Sequence, residues 1–254
     1  MTSISVIIIT YNEEQNLERC LRSVQGIADE IVVVDSFSTD QTEAICRKYA
    51  VRFIQHAFGG YVEQKNWAMG QATCPYILSL DADEALSDEL KNSILKVKEN
   101  WTSDGYIFSR MTNYCGKWIR HGSWYPDYKL RLWDKRKGQW AGVKIHEKVE
   151  LLAPFSTEVL KGDLLHYSYY SVSQHIAQAN KFTDITAFEA FQKKKKASVL
   201  KILINPCWKF IRDYIVKMGF LDGYYGFVVC YISAFATYLK YAKLRQLYEK
   251  QRSA

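Results

Sequence analysis

The sequence predicts an α/β protein built on a doubly wound, mostly parallel sheet, and three observations carry that expectation. Short, nearly continuous apolar runs recur at residues 4–9, 31–34 and 76–80, as strands covered on both faces require. Segments with helical periodicity alternate with them. Each run ends in polar or acidic residues: Thr10-Tyr11-Asn12, Asp35, and Asp81-Ala82-Asp83. Ligands of such sheets bind outside the carboxyl ends of the strands, so these three polar ends converge on one edge.

Taken in order, the first strand, 4–9, is followed by a helix that Asn12 caps with Gln15 three residues on, whose apolar face is Leu17, Cys20, Leu21 and Val24, and which Gly26 ends. The second strand runs into Asp35. Helix is expected over 42–49, strand over 51–54, helix over 61–71 and strand over 76–80. No Gly-x-Gly-x-x-Gly or Walker-type Gly/Lys loop follows the first strand, which disfavours dinucleotide-binding and P-loop chemistry. In an extended chain Asp81 and Asp83 point to the same side about 6 to 7 Å apart. One hard cation can touch both, and Mg²⁺ binds in this way through one or two carboxylates plus substrate phosphates.

A chain of 254 residues can bury a full core and carry an appendage. The formal charge of +7 is an uneven average, because residues 193–254 hold 13 Lys/Arg against 3 Asp/Glu. The body is therefore slightly negative, and an anionic surface suits the tail rather than the body. A nucleic-acid binder is disfavoured by the same distribution. The six cysteines lack Cys-x-x-Cys spacing and read as reduced thiols. The first apolar run has no basic flank and no small-residue cleavage site after it, so a cytosolic protein is expected.

Four motifs in one order, Val6-Ile7-Ile8-Ile9-Thr10-Tyr11-Asn12-Glu13, Val33-Val34-Asp35-Ser36-Phe37-Ser38-Thr39-Asp40, Lys65-Asn66 and Leu80-Asp81-Ala82-Asp83-Glu84, resemble the signature of family 2 glycosyltransferases with the GT-A fold. The resemblance covers roughly residues 3–100. It implies an inverting transferase with a nucleotide-sugar donor and a divalent metal, Mg²⁺ or Mn²⁺. Carried over, Thr10, Tyr11, Asn12 and Glu13 shape the nucleotide pocket, and Asp35 accepts from the base. Lys65 approaches the base or diphosphate, Asp81 faces the ribose or donor sugar, and Asp83 ligates the metal.

Residues 105–170 are rich in Trp, Tyr and basic residues, with strand-like runs at 106–109, 128–133 and 164–169. Aromatic faces stack on sugars and Arg or Lys pairs with phosphate, so 101–192 is the expected acceptor half of a domain spanning 1–192, with 1–100 the nucleotide-sugar half. Inversion needs a base on the acceptor hydroxyl. Glu147, after Trp140-Ala141-Gly142-Val143-Lys144-Ile145-His146, stands where many family members carry Glu-Asp, and Asp127 is the rival. His166 is the candidate second metal ligand, and Arg131 and His146 are candidates for acceptor or phosphate contact. The stretch from Trp124 to Trp133 with Ile145-His146-Glu147 is similar to the branch that adds a hexose to the lipopolysaccharide inner core. That similarity implies a UDP-hexose donor and a lipid-linked saccharide acceptor.

A helix is expected over 171–192, with Ile176, Ala179, Thr183, Ala187, Ala190 and Phe191 recurring. Beyond it lies a separate tail, 193–254. Its residues 208–248 mix twelve aromatics with six Lys/Arg, which suits a helical hairpin in a bilayer interface. The uncharged run 223–239 is 17 residues, slightly short of the roughly 20 that a span needs. A helical cover over the body and a true span are the alternatives. The expected protein is thus a hexosyltransferase peripheral to the cytoplasmic membrane face. A nucleotidyltransferase and a non-catalytic sugar-nucleotide or membrane-binding module are the rivals.

Overall fold

The computed structural model describes residues 1–142, 147–195 and 198–253. In chain order they form β1 (Ile4–Thr10), α1 (Leu17–Val24), β2 (Glu30–Asp35), α2 (Thr42–Lys48), β3 (Arg52–Gln55), α3 (Tyr61–Gln71), β4 (Tyr76–Asp81), β5 (Glu84–Leu86), α4 (Asp88–Glu99), β6 (Gly105–Tyr114), β7 (Lys117–Trp118), β8 (Asp127–Asp134), β9 (Gly138–Ala141), β10 (Lys148–Leu151), β11 (Thr157–Tyr169), α5 (Val172–Gln192), α6 (Val199–Phe210) and α7 (Gly223–Ser253). A π-helical turn, Ile211–Val216, and a 3₁₀ turn, Gly219–Asp222, lie between α6 and α7.

The chain divides into two compact units, residues 1–111 with 127–167, and residues 112–126 with 168–254. The boundary expected at 192/193 therefore falls inside the second unit. The reason is packing: Ala187 and Ala190 of α5 bury against Leu244 of α7, so α5 belongs with the tail helices.

In the first unit the strand order is β3-β2-β1-β4-β8-β6-β11-β5. The first four strands are parallel, and β8 and β6 continue antiparallel, so the sheet is mixed in its second half as expected. Alternation along the strands feeds both faces. Ile4, Val6, Ile8 and Val33 join Leu17, Cys20, Leu21 and Val24 of α1 on one side. Ile7, Val32 and Val34 meet Ala68, Trp133 and Trp140 on the other. Register levels the strand ends, with Thr10 beside Asp35 and Ile9 beside Asp81.

The first helix begins later than its sequence signal. Asn12 sits at φ +54°, a left-handed conformation that cannot open a helix, and its Oδ1 accepts from Thr39 N at 2.8 Å. Residues 13–16 turn instead, with Asn16 N donating to Glu13 O at 3.0 Å, and α1 starts at Leu17. Strands β6 and β11 also run longer than their apolar cores, because ladder pairing extends past the apolar residues.

In the second unit Ser171 caps α5 in a reciprocal box with Gln174. His175, rather than the expected Ile176, is buried, and its Nδ1 lies 3.1 Å from the Tyr114 hydroxyl. Pro206 stands inside α6, and the wide turn that follows brings Asp213 inward. The helical segment Gly219–Arg252 is long and apolar enough to cross a membrane, yet 39 % of its most apolar window is buried in the protein. All six cysteines are free thiols, as expected.

Candidate active site

The loop after β1 and the end of β2 are built as one braced structure. Asn12 N donates to Ser38 Oγ at 2.8 Å, and Glu13 N donates to Thr42 Oγ1 at 3.0 Å. Asp35 is fully buried, and its two carboxylate oxygens accept from the Ser38 hydroxyl and from Ser38 N. Asp35, the candidate for a contact to the base, thus braces Ser38, whose hydroxyl in turn accepts from Asn12 N. Tyr11 projects into solvent, whereas Thr10 is buried. Burial pushes the Glu13 carboxyl up, the Asn16 amide pulls it down, and the charges of Asp83, Asp40 and Asp81 add to the rise. Glu13 therefore shares an electrostatic field with the strand-end aspartates.

A chain of opposite charges surrounds the end of β4. Lys65, presented by α3 and almost wholly buried, places Nζ 2.9 Å from Asp81 Oδ1 and 3.6 Å from Glu147 Oε1, and 4.3 Å above the Trp140 ring. Arg131 of β8 reaches Asp81 Oδ2 at 3.0 Å and Glu84 Oε1 at 2.6 Å. Glu84 also faces Arg110 NH1 at 3.4 Å and accepts from Asp81 N at 3.0 Å. Burial works to raise the Asp81 carboxyl, but the charges of Lys65 and Arg131 outweigh it and hold it far below the usual carboxylate range. Arg131, the candidate for acceptor or phosphate contact, reaches both carboxylates through one nitrogen, Nη2.

The rival base is placed differently. Asp127 is bonded by Arg110 at 2.6 Å and Lys129 at 3.0 Å. Burial works to raise its carboxyl, and Arg110 and then Lys129 outweigh that and hold it below its usual range. Glu147 stands on Lys65 with Asp81. Burial, and then the charges of Glu147, Asp81 and Asp83, push the Tyr61 hydroxyl up. His146, the other acceptor candidate, lies outside the described residues.

Asp83 and His166 meet as well. His166 Nε2 is 3.2 Å from Asp83 Oδ2, because β11 pairs with β5 in the register His166 to Glu84 and Tyr167 N donates to Asp83 O at 2.9 Å. Among the described residues no group of three His, Cys, Asp or Glu side chains is gathered as a closed metal site. Asp81 is also taken up by two cations. The donor set present is one carboxylate and one imidazole, which fits a cation that completes its shell with diphosphate oxygens and water. Thr10 Oγ1, Arg131 Nε and Trp140 Nε1 are buried without a hydrogen-bond partner among the described residues. Such orphans at the carboxyl edge are consistent with a polar ligand.

Sequence reasoning missed Glu84, Arg110, Tyr61 and Trp140. Glu84 and Trp140 stood inside recognised motifs without a role. The only signal for Arg110 was its place in a strand behind Tyr106 and Phe108. Substituting Arg131 by Met would remove the nearer cation of the fully buried Glu84 carboxylate, leaving it Arg110 at 3.4 Å and the N–H of Asp81. Removing one partner of a buried pair costs about 3–5 kcal/mol. Arg131→Met is therefore expected to lower the melting temperature by roughly 10 °C or more in a thermal unfolding scan, and an unchanged melting temperature would refute the assigned pairing.

Comparison with known proteins agrees with this construction. The family model "Glycosyl transferase family 2" matches residues 5–163. An uncharacterized glycosyltransferase of Rickettsia typhi is 32 % identical over the whole of this chain and 90 % of its own length. The lipopolysaccharide core biosynthesis glycosyltransferase LpsC of Rhizobium meliloti is 29 % identical over 96 % of this chain and 92 % of its own length. In fold, the chain is similar to the mannosyltransferase PcManGT of Pyrobaculum calidifontis, solved with GDP-Man and Mn²⁺. The TM-score is 0.55 with 16 % identity, covering 95 % of this chain and 86 % of that one. A mixed α/β sheet of GT-A type, the ordered strand-end motifs and a family match over most of the chain lead to one conclusion: this chain belongs to glycosyltransferase family 2.

Proposed function

We propose that the protein is a metal-dependent, inverting hexosyltransferase that moves a hexose, glucose being the first candidate, from a UDP-sugar to a lipid-linked saccharide such as the lipopolysaccharide inner core. The observation that carries this reading is the shared cluster of Lys65, Asp81 and Glu147, with Asp83 and His166 paired at the same strand end. Asp83 and His166 would hold the divalent cation, whose contribution is to offset the charge that builds on the departing diphosphate. Glu147 takes the proton from the acceptor hydroxyl as that oxygen attacks the anomeric carbon from the face opposite the leaving group. Lys65 fixes Glu147 relative to Asp81, and Arg131 and Glu84 fix Asp81 from behind. Asp81 faces the ribose or donor sugar, and the braced Thr10–Glu13 loop with Asp35 shapes the nucleotide pocket.

The acceptor class draws support from LpsC, whose name places it in lipopolysaccharide core biosynthesis. The PcManGT complex holds a nucleoside diphosphate sugar and Mn²⁺, in line with a nucleotide-sugar donor and a cation here. The basic, aromatic tail suits an enzyme that works against the anionic cytoplasmic face of a membrane, where a lipid-linked acceptor resides.

Calorimetric titration with nucleoside diphosphates and UDP-sugars, with Mn²⁺ and with chelator, tests the reading. UDP and one UDP-hexose are expected to bind at least tenfold more tightly with Mn²⁺. Absence of binding by every nucleotide would point instead to a non-catalytic membrane-binding module.

A further inference from the structure

In the second unit the tail is amphipathic in an inverted sense, with its polar groups inside and its apolar groups in solvent. The turn between α6 and α7 is pinned from within by two buried carboxylates. Asp213 accepts from Ser123 Oγ at 2.5 Å and pairs with Lys209 at 2.6 Å and Arg212 at 2.9 Å. Asp222 accepts from the backbone N–H groups of Arg120 and His121 at 3.0 and 2.8 Å, and His121 Nδ1 lies 3.0 Å from its other oxygen. Gly226 packs so closely on Gly219 that an added Cβ would stand 2.1 Å from the Gly219 carbonyl oxygen. The turn is therefore a fixed structure, and its outward residues are held outward.

Those outward residues are large and apolar. Leu200, Leu203, Ile204, Trp208, Ile211 and Ile215 recur in the i, i+3, i+4 pattern of one helix face and are all exposed, Leu203 at 61 % and Ile215 at 57 %. No residue of α6 is buried. The stripe continues round the turn through Val216, Met218, Phe220 and Leu221 to Tyr224, itself 72 % exposed. Monomeric soluble proteins rarely expose so continuous an apolar surface. Lys201, Lys209, Arg212 and Lys217 are interspersed with the stripe, in a tail whose Lys/Arg outnumber Asp/Glu by 13 to 3.

We infer that this stripe, on α6 and the turn leading into α7, is the surface by which the protein docks on an anionic lipid bilayer. It rests on the membrane-side reading proposed above and locates it. The contact lies mainly on 200–221, upstream of the uncharged run 223–239 that composition alone singles out. Apolar side chains enter the acyl boundary, Trp208 and Tyr224 suit the headgroup level, and the exposed Lys201 and Lys217 are placed for the anionic headgroups, while Lys209 and Arg212 stay on Asp213. Charge complementarity favours lipid over a second copy of this basic tail, which would repel it.

Flotation of the full chain with phosphatidylglycerol/phosphatidylcholine vesicles tests the assignment, alongside pure phosphatidylcholine vesicles. The wild type is expected to float with the anionic vesicles, less so at high salt. Leu203→Glu/Ile215→Glu should lower the floated fraction at least tenfold while keeping its far-ultraviolet circular dichroism and UDP binding. Tryptophan quenching by brominated acyl chains gives a second readout that needs no disruptive change. Trp208→Phe should remove most of the quenching. Failure of the wild type to float, flotation of the double variant at wild-type level, quenching that persists in Trp208→Phe, or dimers that the double substitution dissolves would each overturn the docking surface. UDP binding is read in the same samples, so its loss would count against the catalytic reading and leave the docking result standing.

Discussion

Replacing Asp83 by Ala is expected to lower transfer by about 10³-fold or more. The estimate follows from the several kcal/mol that a metal supplies to a leaving group and from tenfold in rate per 1.36 kcal/mol. Asp83 is the strand-end carboxylate that faces an imidazole rather than a cation: His166 Nε2 is 3.2 Å from it, whereas Asp81 is held by Lys65 and Arg131. The loss should therefore reside in metal-dependent steps. The nucleotide affinity measured with chelator should be unchanged, the gain on adding Mn²⁺ should vanish, and the melting temperature should stay close to that of the wild type. Asp81→Ala provides the contrast, since it leaves Lys65 and Arg131 without their shared carboxylate and should destabilise the fold. If Asp83→Ala retained Mn²⁺-dependent transfer within tenfold of wild type, the cation would have to be held elsewhere and the assigned role of His166 would fall with it.

Glu147→Gln carries the second large effect, a fall in kcat of about 10²–10⁴-fold with donor binding retained, as removal of a general base produces. The two candidate carboxylates separate here on physical grounds. Asp127 is committed to Arg110 and Lys129, which hold its carboxyl below the usual range against the effect of burial, and a carboxylate so stabilised is a poor proton acceptor. Among the described residues Glu147 faces Lys65, at 3.6 Å and shared with Asp81. Asp127→Asn should consequently cost less than tenfold in kcat. Single-turnover assays of both variants with the same donor decide the matter, and the assignment is reversed if Asp127→Asn is the inactive one.

The elements that sequence alone located well are those whose signal is local. Residues 61–71 were expected as helix and are helix, and the runs at 31–34 and 76–80 are strands that end at Asp35 and Asp81. Periodicity of apolar residues fixes such segments because the burial of each face is decided within a few residues. The start of α1 was misplaced for the same reason. The capping pattern at Asn12 and Gln15 is local, but the Asn12 side chain is claimed by Thr39, 27 residues away. The expected 192/193 boundary lies inside the second unit, where the small residues Ala187 and Ala190 of α5 meet Leu244, a partner more than fifty residues away.

What the sequence determined by itself was the family, the polar ends of three strands, and the concentration of positive charge and aromatic rings beyond residue 193. What only tertiary structure decided was which charges meet. Lys65 with Asp81 and Glu147, Arg131 with Asp81 and Glu84, and Asp83 with His166 are partners set by sheet register and helix placement. Tertiary structure also turned the apolar stripe of α6 outward, by burying Asp213 and Asp222 on the inner side of the turn. The physical reason is common to both: hydrophobic patterning is written in neighbours along the chain, whereas an ion pair depends on the distance between side chains whose separation in sequence carries no information about it.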